Sequence, residues 1–286
     1  MKKDTFMKEK PVFPLIISMA LPMIISMIVQ AFYNIVDSYF VSGITDDTVE
    51  HIGEYAVNAL TLAYPVQLLI IAVGVGTGVG INALLSRSLG EKNFERAGKA
   101  IFIGLCTYIV FMLFGFFGTD AFLKTQTHDS LALKLGGEYL GICCVLSFGA
   151  VGSMIFEKLL QATGKTIHST IAQLVGAIAN IVLDPVLIFG LGPFPELGVK
   201  GAAYATVIGQ VLTMVIGGVL HFVCNKEIPS GMRYFIPQSK MIANIYRIGI
   251  PAIIIQALMS VMTYGLNVIL NRIGQSAVTA YGIYYK

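Results

Sequence analysis

Seven apolar runs, at roughly 14–41, 56–85, 98–118, 136–156, 168–190, 199–223 and 242–271, constrain this chain more than any other feature. A bilayer core is crossed by an α-helix of about 20 predominantly apolar residues. Only helices and closed barrels satisfy their own backbone groups in hydrocarbon. None of the runs alternates polar and apolar residues as a barrel strand does. With 56% of residues hydrophobic and 12% charged, the chain is read as an all-α polytopic membrane protein rather than a soluble domain. The first run is too long for a signal-peptide core and no small-residue cleavage site follows, so it is read as a retained span.

The charges between the runs alternate. Fourteen basic residues fall on one side and four on the other. The rich side has Lys2, Lys3, Lys8 and Lys10; Arg87, Lys92, Arg96 and Lys99; Lys158 and Lys165; and Lys226, Arg233, Lys240 and Arg247. The poor side has Lys124, Lys134, Lys200 and Arg272, and its first loop is acidic, with Asp46, Asp47, Glu50 and Glu54. The positive-inside rule then puts the amino terminus in the cytoplasm, and the cytoplasmic membrane is the expected location. Cys106, Cys143, Cys144 and Cys224 form no CxxC pair and read as small core residues. His51, His128, His168 and His221 lie in loops or near span ends, and no pair has metal-ligand spacing.

Of the sixteen acidic residues, Glu138 and Glu157 sit at span ends and all but two of the rest sit in loops or tails. The two exceptions are Asp37 and Asp184. An ionised aspartate in hydrocarbon costs about 3 kcal/mol on insertion scales, so such a residue marks a functional site by default. Both spans run outward, and both carboxylates fall about five or six residues before the outer end, at matching depth. Asn180 lies one turn before Asp184 on the same face. Pro185 cannot donate to the carbonyl of Ile181, which frees an oxygen nearby. Thr206, on the returning sixth span, reaches similar depth. Two carboxylates, an amide, a hydroxyl and a freed carbonyl at one level make an all-oxygen site for a proton or a hard monovalent cation such as sodium.

Other polar groups lie inside the runs: Gln30, Asn34, Gln173, Gln210, Gln256 and Asn267. They read as interhelical hydrogen bonds or as cavity lining. GVGTGVG in the second run, with Gly74, Gly76, Gly78 and Gly80, reads first as close helix packing and second as a hinge. Pro22, Pro65 and Pro251 are expected to kink their helices.

The end of the chain repeats its beginning. YRIGIPAIIIQALMSVMTYGLNVIL parallels ISMALPMIISMIVQAFYNIVDSYF, pairing Pro251 with Pro22 and placing Asn267 within a residue of Asp37. SAVTAYGIYY parallels YAVNALTLAY. The copies are offset by six spans, an even number, so both have the same orientation and are related by an axis along the membrane normal. Residues 1–225 are therefore expected to form a six-helix lobe. Residues 226–286 are expected to be a cytoplasmic linker and the start of a second lobe that the chain does not complete, out of twelve spans.

The stretches ALPMIISMIVQAFYNIVDSYFVSGI, GVGTGVGINALLSRSLGEKNFERAGKA, NIVLDPVLIFGLGPFPELGVKGAAYAT and RIGIPAIIIQALMS resemble the multidrug and toxic compound extrusion (MATE) family, in its DinF-like branch. The resemblance covers essentially the whole chain. It implies a two-lobed secondary antiporter, not an enzyme, which expels cationic, amphiphilic drugs in exchange for protons or sodium. It implies no cofactor and no nucleic-acid partner; small molecules and membrane lipid are the partners. The family's cation-coupling positions match Asp37, Asn180, Asp184 and Thr206, and Gln30, Tyr33, Asn34 and Gln256 are the candidate cavity residues. Another branch carries acids in the seventh span, where this chain has none. The alternative from the same superfamily is a lipid-linked oligosaccharide flippase, which calls for basic residues in the cavity to hold pyrophosphate. An intramembrane enzyme using the two aspartates lacks a supporting HExxH or GxSxG motif, and a channel lacks a filter-like sequence.

Overall fold

The computed structural model describes residues 11–45, 50–91, 103–225 and 239–285. Lys2, Lys3, Lys8, Lys10, Asp46, Asp47, Lys92, Arg96, Lys99, Lys226 and Arg233, on which much of the charge reading rests, lie outside the described residues, as does the side chain of Cys106. The described residues form ten helices: α1 (Val12–Ser42), α2 (Ile52–Gly90), α3 (Ile103–Phe117), α4 (Thr119–Lys124), α5 (Ser130–Val145), α6 (Phe148–Ala162), α7 (Thr166–Ile188), α8 (Val199–Cys224), α9 (Ser239–Asn271) and α10 (Gln275–Tyr285). Five of them, α1, α2, α7, α8 and α9, are long and apolar enough to cross a membrane. The fourth apolar run is broken: α5 and α6 bend by 46° at Leu146 and Ser147, and together they count as a sixth span.

α2 is the central element, packed by α5, α6, α9 and α10. α7 lies between α1 and α8, and α8 continues the bundle through α6 and α5. Leu60, Leu62, Ile81, Leu85, Leu140, Leu159 and Ile188 fill the space between them, fully buried. Outward faces carry large apolar side chains such as Ile24, Ile28, Phe32, Ile178 and Val182. In a soluble domain such a surface would aggregate; facing lipid tails it has no such cost.

The GVGTGVG segment packs on two sides, as its first reading expects. A Cβ on Gly74 or Gly78 would run into Met154 or Lys158 of α6, and one on Gly76 or Gly80 into Ile253 or Ile245 of α9. α9 runs antiparallel along α2, from Gly80 beside Ile245 to Thr61 beside Asn267. Pro22, Pro65, Pro185 and Pro251 all stay inside their helices.

One expectation needs correcting. Lys158 does not sit in the fourth connection but near the end of α6, which continues to Ala162, beside Glu157. The Lys158 stem lies on Gly78, its Nζ donates to Glu157 Oε1 at 2.9 Å and to Gln161 Oε1 at 3.0 Å, and Gln161 donates to Glu157 at 2.7 Å. The glycine makes room for the lysine stem, and the neighbouring acid neutralises its charge inside the bundle. His221 lies near a span end as expected, fully buried in the last turn of α8 and bonded to Asn225.

Candidate functional site

α1 buries only a narrow strip. Ser26, Asp37, Ser38 and Val41 are covered, whereas Ile35 and Tyr39, on the neighbouring faces, are exposed. That strip faces α7, so Asp37 is turned inward, 5% exposed, five residues before the helix ends at Ser42. Tyr33, one turn earlier, lies near the Gln30 side chain and close enough to Asp37 and Asp184 to feel both charges. Ser38 Oγ donates to the carbonyl of Asn34 at 3.0 Å, which engages the backbone of Asn34.

α7 and α8 cross closely because glycine meets glycine. A Cβ on Gly176 would stand 2.6 Å from the carbonyl of Gly209, and one on Gly209 would stand 2.8 Å from that of Gly176. Asn180 is one turn beyond this crossing, and its own Cβ already sits 3.2 Å from where a Gly209 side chain would start. The tight crossing therefore sets the level of Asn180, and one turn further on, Asp184. The loop that returns to α8 turns at Gly190, whose φ of +68° favours glycine.

Asn180 and Asp184 are 3% and 0% exposed. Asn180 Nδ2 donates to Asp184 Oδ1 at 3.3 Å. That single bond leaves Asp184 Oδ2 and Asn180 Oδ1 buried with no hydrogen-bond partner among the described residues. Buried carboxylate oxygens without donors are costly, and a group that supplies positive charge is what they lack. Asp37 lies near enough to interact electrostatically with Asp184, so α1 and α7 bring the two acids to one place.

Thr206 is half-buried on α8 and comes within hydrogen-bonding reach of Tyr139 on α5. Tyr139 is buried and in turn accepts from Gln67 Nε2 of α2 at 3.2 Å; Gln67 also points at Cys143 Sγ, 3.8 Å away. Tyr139 and Cys143 both sense the charge of Asp37. Five helices thus contribute to one polar centre: Tyr33 and Asp37 from α1, Gln67 from α2, Tyr139 and Cys143 from α5, Asn180 and Asp184 from α7, and Thr206 from α8. Gln67, Tyr139 and Cys143 are the members that sequence reasoning missed; from the sequence Cys143 reads only as a small core residue. No hydrogen bond among the described residues joins Gln256, half-buried on α9, to this centre. Among the described residues no group of three or more His, Cys, Asp or Glu side chains is placed to hold a metal ion, and the oxygens of this centre come from two carboxylates, amides and hydroxyls.

Long apolar helices around a buried acidic pair define a polytopic membrane protein with a polar centre enclosed in its bundle. The family model described as MatE matches residues 22–186, and the chain belongs to that family. It is 27% identical over 286 residues to the Multidrug export protein MepA of Staphylococcus aureus (strain MRSA252), covering 98% of this chain and 61% of that protein. It is also 27% identical over 289 residues to the protein of the same name from Staphylococcus haemolyticus (strain JCSC1435), with the same coverage. Among solved structures, the inward-facing conformation of a multidrug resistance MATE family transporter of the MOP superfamily superposes with a TM-score of 0.81 at 27% identity, over 95% of this chain and 60% of that one. An outward-facing conformation superposes with a TM-score of 0.80 at 26% identity, over 99% and 64%. The chain spans about three-fifths of the length of the curated relatives it matches.

Proposed function

We propose that this chain is the larger part of a secondary antiporter that exports cationic amphiphilic drugs across the cytoplasmic membrane in exchange for a cation. Residues 1–225 form the lobe that couples to the ion, and residues 226–286 begin the lobe opposite it. The amino terminus is cytoplasmic, so the end of the bundle marked by Ser42 and Ile52 faces outward. The observation that carries the reading is the buried pair Asp184 and Asn180, each with an oxygen lacking a donor, beside the buried Asp37. Such a centre accepts a proton or sodium, and its two carboxylates titrate as a coupled pair.

In this account Asp37, Asn180, Asp184 and Thr206 take up the ion from outside, while Tyr139 orients Thr206 against Asp37. Loading the centre draws the end of α1 onto α7 and reshapes the cavity edge formed by Gln30, Tyr33 and Asn34, which releases drug. The emptied, negatively charged centre then favours a cationic substrate entering from the cytoplasm. Ion and drug must each prefer a different conformation, or no exchange results. Gln256 is assigned to the substrate cavity on the α9 side. The flippase alternative calls for free basic side chains in the cavity, and Lys158 inside α6 is already engaged by Glu157 and Gln161.

The test uses the full-length protein in proteoliposomes, with ethidium as the reported cargo and an imposed sodium or proton gradient. Export driven by one gradient and lost in Asp37→Asn is the expected result, and the effective gradient names the ion. Equal export by both proteins would show that Asp37 is structural.

A further inference from the structure

Pro65 breaks the hydrogen-bond ladder of α2 within the bundle. Its nitrogen carries no proton, so the carbonyl of Thr61, four residues back, has no helical donor. At membrane depth that oxygen must find a donor elsewhere in the protein. The donor comes from 206 residues away: Asn267 Nδ2 of α9 donates to Thr61 O at 3.0 Å and also to Gln126 Oε1 at 3.2 Å. Gln126 Nε2 donates to the next α2 carbonyl, Leu62 O, at 2.8 Å, and Ser260 Oγ donates to the carbonyl of Pro65 itself at 2.6 Å. Asn271 Nδ2 adds a bond to Gln126 O at 2.8 Å. Thr61, Gln126, Ser260 and Asn267 are all buried.

The contacts along α2 and α9 differ sharply from end to end. Near Ser42 and Ile52 they are directional hydrogen bonds, continued by Ser276 Oγ donating to Glu54 at 2.8 Å and by the edge contact of Tyr285 on Tyr64. Towards the other end they are close apolar packing of Ile245, Gly249 and Ile253 on Gly76 and Gly80. Packing of that kind tolerates a small change of angle, whereas hydrogen bonds to a proline-freed carbonyl are either made or broken. We propose that Asn267, with Gln126 and Ser260, is a latch that closes the two lobes at the Ser42–Ile52 end by capping the Pro65 break, and that it releases when that end opens. The inference rests on the two-lobed reading given above. Asn267 falls within a residue of the repeat position of Asp37, so one repeat uses this level of its helix in the polar centre and the other uses it to hold the lobes together.

Hydrogen–deuterium exchange of the full-length protein in lipid nanodiscs tests the latch, comparing the wild type with Asn267→Leu and, separately, Ser260→Ala. Asn267→Leu is expected to raise amide exchange at least tenfold in residues 58–69 and 260–271, and Ser260→Ala to raise it severalfold in the same segments. Peptides from α7 and α8 should stay within twofold of wild type in both. Unchanged exchange in residues 58–69 would overturn the latch. A rise shared equally by α7 and α8 would overturn it too, because Asn267 would then support the whole fold. No gradient and no substrate enter this measurement, so it stands or falls separately from the antiport reading.

Discussion

Asp184 and Asn180 owe their importance to what surrounds them rather than to their identity. Either oxygen in water would be unremarkable, but buried without a donor the carboxylate oxygen calls for positive charge and the amide oxygen for a donor or a cation. Both aspartates and Asn180 were legible in the sequence because a charge in an apolar run is conspicuous and depth can be counted residue by residue. Tyr139 and Gln67 were not. A tyrosine in a chain with thirteen carries no signal, and its role depends on how α5 is rotated towards α2 and α8. Tyr139→Phe removes the hydroxyl that Gln67 and Thr206 address, so the half-buried Gln67 amide loses an acceptor at a cost of about 0.5–1.5 kcal/mol. Its thermal midpoint in detergent should fall by a few degrees, and gradient-driven export should fall severalfold; wild-type values of both would remove Tyr139 from the centre. Asp37→Asn and Asp184→Asn should be far from additive, because the two groups act as one. A double variant that loses the sum of the single losses in ion affinity would show two independent sites.

At the scale of elements, the apolar runs predicted the helices well, and the glycine-rich segment predicted close packing correctly. The bend between α5 and α6 was hidden, since LSFGAVG is apolar and has no proline. Gly149 there lies against Val211 of α8, so the change of direction depends on contact with a distant helix. Pro65 was visible as a break, but its cap was not, because pairing Asn267 with Thr61 requires the register of α9 on α2. The glycines make separable predictions. Gly80→Ala would force the α2 and α9 backbones apart at Ile245 and should lower stability by about 1–3 kcal/mol. Gly141, in the middle of α5 with nothing within 4 Å of a new Cβ, should gain about 0.5–1 kcal/mol as alanine. Thermal unfolding of the two variants in one detergent checks both; a Gly80→Ala protein as stable as wild type would mean that the helices do not approach as closely as described.

For the molecule as a whole, the antiport account depends on a competition. One centre, built from α1, α2, α5, α7 and α8, is loaded by an ion or left charged for a cationic substrate, and each state favours a different arrangement of the lobes. By linkage the ion must weaken substrate binding by the same factor that substrate weakens ion binding. The most direct measurement is the affinity of the full-length protein for tetraphenylphosphonium with the coupling ion at saturating and at negligible concentration. The account predicts at least a tenfold loss of affinity when the ion is present, about 1.4 kcal/mol of coupling, and less than a twofold change in the Asp37→Asn, Asp184→Asn double variant. Equal affinities in the wild type under both conditions would contradict it.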